Sequence, residues 1–140
     1  MCYKHILVAV DLSEDSKGLV ERAVALATPL QAKVSLIHID INYAELYTGL
    51  IDINLAETQH RATEEAHSAL QKMVDDADFP ITRALVSSGD LGDELCEAIT
   101  NMEVDLVVCG HHHDFWSKFL SSSTQLINSA PVDVLVIPIK

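Results

Sequence analysis

DLVVCGHHHDFWSKFLSSST, residues 105–124, decides how the chain is read. A short apolar run, Leu106-Val107-Val108-Cys109, stops at Gly110. Three histidines, Asp114 and Phe115-Trp116 follow, and then a segment with helical spacing. A strand that ends at a glycine and turns into a helix is the usual phosphate-binding corner of an α/β protein. N–H groups at the helix start face the anion, and glycine lets the backbone come close. A nucleotide loop needs several glycines, and only one stands here. Whether this corner holds a nucleotide therefore decides the function.

The same pattern of apolar run and turn recurs on both sides. Residues 3–10 end in Ile6-Leu7-Val8-Ala9-Val10, residues 33–39 read KVSLIHI, 81–86 read ITRALV and 132–139 read VDVLVIPI. Continuous apolar runs mark strands covered on both faces, as in parallel sheets. Between the first two, Leu19, Val20, Ala23, Val24 and Ala27 share a helical face. Ser13 is the expected N-cap of that helix, with Glu14 and Asp15 in its first turn and Pro29 closing it. Residues 40–55 read as a loop with a short helical turn. Ala62, Ala66, Ala69, Leu70, Met73, Val74 and Ala77 place a helix over 57–77, stopped by Pro80. Ser88-Gly89-Asp90 is a turn, after which Leu91, Leu95, Ala98, Ile99 and Met102 form a third stripe. Trp116, Leu120 and Ile127 form a fourth, broken at Ala130-Pro131. Strands and helices alternate throughout. With right-handed crossovers this gives an α/β fold, a doubly wound five-stranded parallel sheet in a single domain over 1–140.

The last strand carries its own inference. Pro138 has no N–H to give a ladder, so the strand belongs at a sheet edge. Nearly all its residues are apolar, and an exposed apolar edge is an aggregation hazard unless something pairs with it. The simplest partner is the same strand of a second copy about a two-fold axis, which would run antiparallel. A homodimer through Val132, Val134, Leu135, Val136, Ile137 and Pro138 is therefore expected. In the alternative, Pro138 and Lys140 simply end the edge of a monomer.

Composition excludes several classes. The 140 residues are 49% hydrophobic, enough for a core and against disorder. The formal net charge is -12, with no run of Lys or Arg. That disfavours direct nucleic-acid binding and anionic membrane surfaces. Cys2, Cys96 and Cys109 lie far apart without CxxC spacing, which reads as reduced thiols in a cytoplasmic protein. No apolar run approaches the ~20 residues of a membrane span. The opening Met1-Cys2-Tyr3-Lys4-His5 leads straight into a strand pattern rather than a signal peptide.

KHILVAVDLSEDS at 4–16, GDLGDEL at 89–95 and DLVVCGHHH at 105–113 together resemble the universal stress protein family over the whole length. NYAELYTGLIDINL at 42–55 and HHHDFWSKFLSS at 111–122 are similar to its enterobacterial-type members. The resemblance implies a Rossmann-like sheet in the order 3-2-1-4-5, a dimer, cytoplasmic expression under stress, and a role in resisting DNA-damaging conditions. It also implies a division over nucleotide. Members that hold ATP carry Gly-x2-Gly-x9-Gly-(Ser/Thr) after the fourth strand. In this chain the first glycine is Gly110, the second falls on His113 and the third on Ser123, while Thr124 matches the final hydroxyl. A Cβ where φ must be positive costs ~1–2 kcal/mol, and imidazole fills space the phosphates would use. Each 1.4 kcal/mol is tenfold, so the two replacements together imply a loss of ~100-fold or more. Asp11, Gly89 and Gly110 still match nucleotide-contacting positions and read as remnants of the fold. The expectation is a non-enzymatic dimer with no cofactor and with protein partners. The alternative is an ATP-binding switch or slow ATPase using Asp11, Gly89, Gly110, Ser123 and Thr124.

Other chemistry is weaker. His111, His113 and Asp114 can supply three metal ligands with one position open, but no HxxxH pair supports them, and a solvated polar turn is the simpler account. Cys109 beside His111 suggests a nucleophile, yet it ends a buried strand and reads as a small hydrophobe. Ser121-Ser122-Ser123-Thr124 can present hydroxyls to a phosphate, or form the weak start of a helix packed through Phe119, Leu120 and Ile127. Tyr43 and Tyr47 are partner contacts, modification sites or cover for a core edge. Neither GxSxG nor GxxxxGK[ST] is present.

Overall fold

In the computed structural model, which describes residues 3–10, 16–40, 54–88, 91–111 and 131–138, Ile6, Leu7 and Val8 are fully buried. The cause is the position of their strand. The strands are β1 (His5–Ala9), β2 (Lys33–Asp40), β3 (Ile81–Ser88), β4 (Leu106–His111) and β5 (Asp133–Pro138). They form one sheet in the order β3-β2-β1-β4-β5, all parallel, with β1 at the centre. The described helices are α1 (Ser16–Leu30), α2 (Asn54–Asp76) and α3 (Leu91–Met102).

Alternation along the strands divides the core. Ile6, Val8, Leu36 and Val108 face Leu19, Val20 and Ala23 of α1 and Leu70 and Met73 of α2. Leu7, Ile37 and Val107 face Leu95, Ala98, Ile99 and Met102 of α3. Helices therefore cover both faces, which is why Ile6-Leu7-Val8-Ala9 and Leu106-Val107-Val108-Cys109 are apolar at successive positions. The doubly wound sheet in the order 3-2-1-4-5 stands as expected.

The element ends differ from the sequence expectations for identifiable reasons. Pro29 does not close α1 but sits inside its last turn, because its fixed φ is helical and only one N–H bond is lost. Gln31 makes the stop instead, with φ 56°. Its N–H donates to the Thr28 carbonyl (3.2 Å) and Ala32 N–H to that of Ala27 (3.0 Å), a left-handed C-terminal cap. Glu103, at φ 54°, ends α3 in the same way, with Val104 N–H donating to the Ile99 carbonyl at 3.1 Å. Ala32 and Val104 then bury beside Ala27 and Ile99.

At the start of β1, Tyr3 and Lys4 fall outside the strand. The Asp105 carboxylate accepts the N–H of Lys4 (2.8 Å) and of His5 (3.0 Å), so Asp105 caps β1 and β4 starts one residue later. β2 and β3 run on to the pairs Ile39–Ser87 and Asp40–Ser88, which places Ser88 in β3 rather than in a turn. α2 begins at Asn54, inside the segment read as loop. Leu55 stands seven residues before Ala62, so helical spacing already extended back to it. The expected Ser13 cap and the fourth helix lie outside the described residues.

The two edges of the sheet differ. β5 pairs with β4 in six consecutive steps, from Leu106–Asp133 to His111–Pro138. β3 is irregular. Val34 pairs with Ile81 but Leu36 with Ala84, so Thr82 and Arg83 together oppose Ser35 in a β-bulge.

Candidate functional site

The chain passes from β1 through β2 to β3 on one side, then crosses back to β4 and β5, so its direction reverses between β1 and β4. Connections leaving two such strands go to opposite faces and open a crevice beyond the carboxyl ends, where α/β sheets bind ligands. Ala9 pairs with Cys109, which brings Val10 and Gly110, both buried, to the lip of that crevice. Asp11 is next in the chain after Val10. β3, which Gly89 follows in sequence, lies three strand spacings from β4, ~14 Å across the sheet. Asp11, Gly89, His113, Ser123 and Thr124 themselves lie outside the described residues.

One residue at this lip escaped the sequence reading. His38 of β2 donates from Nδ1 to the Val10 carbonyl at 2.9 Å; a carbonyl only accepts, so this nitrogen carries the proton. Val10 N–H donates in turn to the Ile37 carbonyl at 2.9 Å. Val10, the residue before Asp11, is thus held by β2 through both its N–H and its carbonyl. The only sign of it in the sequence is a histidine just after the apolar pair Leu36-Ile37, near the carboxyl end of β2.

Cys109 is 4% exposed, and burial pushes its thiol up to about 11. It stays protonated at neutral pH, as the small-hydrophobe account requires and a nucleophile does not allow. His111 is the last residue of β4, in register with Pro138, so any polar turn starts after it. His113 and Asp114 lie outside the described residues. Among the described residues no three His, Cys, Asp or Glu side chains are placed to hold a metal ion.

The opposite end of the sheet carries a buried polar cluster. His5 Nδ1 donates to the Met102 carbonyl at 3.0 Å, which leaves Nε2 to accept the Ser35 hydroxyl at 2.7 Å. The hydrogen-bond sense is that of a nucleophile and its base, but Ser35 has no exposed surface and no substrate can reach it. Nearby, Tyr3 Oη donates to Asp133 at 2.7 Å, and that bond raises the Tyr3 phenol above its ordinary value.

At the β5 edge, Leu135 is 42% and Val136 39% exposed. They point to opposite faces of the sheet. Ile137 is buried against the α1–α2 layer, while Val132 and Val134 pack partly against the α3 layer. Pro138 is exposed at the strand end. Among the described residues, no helix is long and apolar enough to cross a membrane.

Comparison with known proteins adds sequence and fold relatives. A family model described as the universal stress protein family matches residues 2–138. Universal stress protein A of Escherichia coli (strain K12) is 59% identical over 140 residues, covering 100% of this chain and 97% of that protein. Among solved structures, hypothetical protein MJ0577 superposes with a TM-score of 0.75 at 22% identity, covering 100% of this chain and 99% of the other. The universal stress protein from Archaeoglobus fulgidus in complex with dAMP gives a TM-score of 0.57 at 20% identity, with 100% of both chains covered. At such identities the solved structures speak for the fold.

Proposed function

The chain belongs to the universal stress protein family, and from that membership we propose a cytoplasmic stress-response protein of the branch that does not hold ATP. It acts without catalysis, as a homodimer joined through β5, and supports survival of DNA-damaging conditions through contacts with other proteins. The observation that carries the nucleotide part is the loop after β4, where His113 and Ser123 replace two of the three glycines of the ATP-holding pattern. Consistent with this, His38 and Ile37 hold the peptide before Asp11 through the chain's own hydrogen bonds. The lack of catalysis is supported by a protonated Cys109 and a sealed Ser35–His5 pair. The dimer is supported by Leu135 and Val136, exposed on a regular strand that is an edge of the sheet among the described residues. A net charge of -12 argues that protection does not come from binding DNA directly.

A second reading, an ATP-binding switch or slow ATPase, is favoured by one observation. The Archaeoglobus fulgidus relative is in complex with dAMP; by the family resemblance, Asp11, Gly89 and Gly110 of this chain stand where ATP-holding members contact nucleotide. Complementation separates the two. An enterobacterium lacking universal stress protein A is given this chain, wild type or Asp11→Ala, and its survival after DNA damage is scored. Equal rescue by both supports the ATP-independent account. Rescue by wild type alone supports the nucleotide switch, and no rescue by either removes the stress role.

A further inference from the structure

Among the described residues the sheet of five strands ends at β3 on one side and β5 on the other, and the two edge strands are built differently. β5 is regular for six pairs and shows Leu135 and Val136 to solvent. β3 is the longer edge, yet its ladder is broken where Thr82 and Arg83 both oppose Ser35. Both residues are exposed, and Arg83 places a cation on the edge. A bulge twists an edge away from any flat partner, and a charge there is left desolvated by pairing. We propose that the Thr82–Arg83 bulge closes the β3 edge to a second copy of this chain, so that association through β5 stops at a dimer. This rests on the β5 dimer proposed above. An antiparallel β5–β5 contact sets β3 at both outer ends of the joined sheet. If those ends were regular and apolar, dimers would add edge to edge into a growing sheet.

A strand one residue shorter, without the bulge, would serve the core equally well. Ile81, Ala84 and Val86 pack toward the α1–α2 layer and Leu85 toward the α3 layer. In a straight strand residues three apart face opposite sides, so Ile81 and Ala84 share a face only because one extra residue intervenes. Deleting Thr82 therefore yields a regular strand with each of these apolar residues on its present face. The extra residue serves the edge rather than the interior.

The experiment uses the full chain with Thr82 deleted and Arg83→Val, and a length-preserving variant, Thr82→Val with Arg83→Val. Both are compared with wild type by sedimentation velocity over a range of concentrations, with far-UV circular dichroism to establish folding. The expected result is a wild type that stops at a dimer and a deletion variant whose weight-average mass rises to at least twice that value. The length-preserving variant is expected between them. In a Leu135→Lys, Val136→Lys background the deletion variant is expected to dimerise again, now through β3. A monomeric wild type would sink the β5 dimer, but self-association of the deletion variant would still support a guarded β3. A folded deletion variant that sediments as its parent in both backgrounds overturns the proposal. If the deletion does not fold, an unchanged mass for the length-preserving variant overturns it.

Discussion

Ser35→Ala should lower the melting temperature by several degrees, although it removes one oxygen from the middle of a strand. Ser35 has no exposed surface and His5 is 8% exposed, so no water replaces the lost hydroxyl. Because Nδ1 is committed to the Met102 carbonyl, Nε2 has the Ser35 hydroxyl as its donor at 2.7 Å. No buried side-chain nitrogen or oxygen among the described residues lacks a partner, and the substitution would create one. Leaving a buried acceptor unsatisfied costs about 1–3 kcal/mol. An unfolding entropy of ~2.1 cal/mol/K per residue gives about 0.3 kcal/mol/K for a chain of this length, so the shift is ~3–10 °C. Differential scanning calorimetry reads it directly. Ser35→Cys, which keeps a weak donor of similar size, should lose less. A fall of less than ~1 °C in a natively folded Ser35→Ala protein, below the low end of that range, would refute the assignment of donor and acceptor.

Two further outcomes follow from the same structure. Cys109 in the folded protein keeps its proton to about 11, whereas unfolding returns it to the ordinary value near 9.0. The unfolded chain thus binds fewer protons between these values, and stability falls as pH rises through that window, by up to ~1.4 kcal/mol per pH unit. Cys109→Ala should flatten that slope in denaturant titrations at pH 9 to 11; an unchanged slope would show that burial of this thiol is not the cause. Leu135→Lys with Val136→Lys should convert the proposed β5 dimer to monomer. With roughly two-fifths of each side chain exposed, each regains ~1 kcal/mol on pairing. Four such side chains meet across a two-fold axis, giving ~4 kcal/mol, or ~1000-fold in dissociation constant. Light scattering across the wild-type transition checks this, and an unchanged mass would place the interface elsewhere.

Much of the fold was legible because its signals are local. Runs such as Ile6–Val10 and Leu106–Cys109 read as strands buried on both faces, and helix stripes at Leu19–Ala27 and Leu95–Met102 fix which side meets the sheet. Pro138 marked β5 as an edge, and it is one. What was missed depends on partners distant in sequence. Asp105 sets where β1 begins from 100 residues away, and Ser35 finds His5 only once β1 and β2 pair. The bulge at Thr82–Arg83 leaves no mark in ITRALV until its neighbour fixes the register. Gln31 and Glu103 adopt a backbone conformation usually left to glycine, so the helix ends were not visible as residue types. At the candidate site, Gly110 lies on β4 next to the Ala9–Cys109 pair, while the partner of His38, the Val10 carbonyl, is fixed only once β1 and β2 pair.

The most direct test of the central claim is calorimetric titration of the intact protein with ATP and magnesium, beside a His113→Gly, Ser123→Gly variant that restores the missing glycines. The account predicts no binding by the wild type tighter than ~100 μM, about 5.5 kcal/mol, and a clear gain by the variant. Wild-type binding tighter than that limit would contradict it.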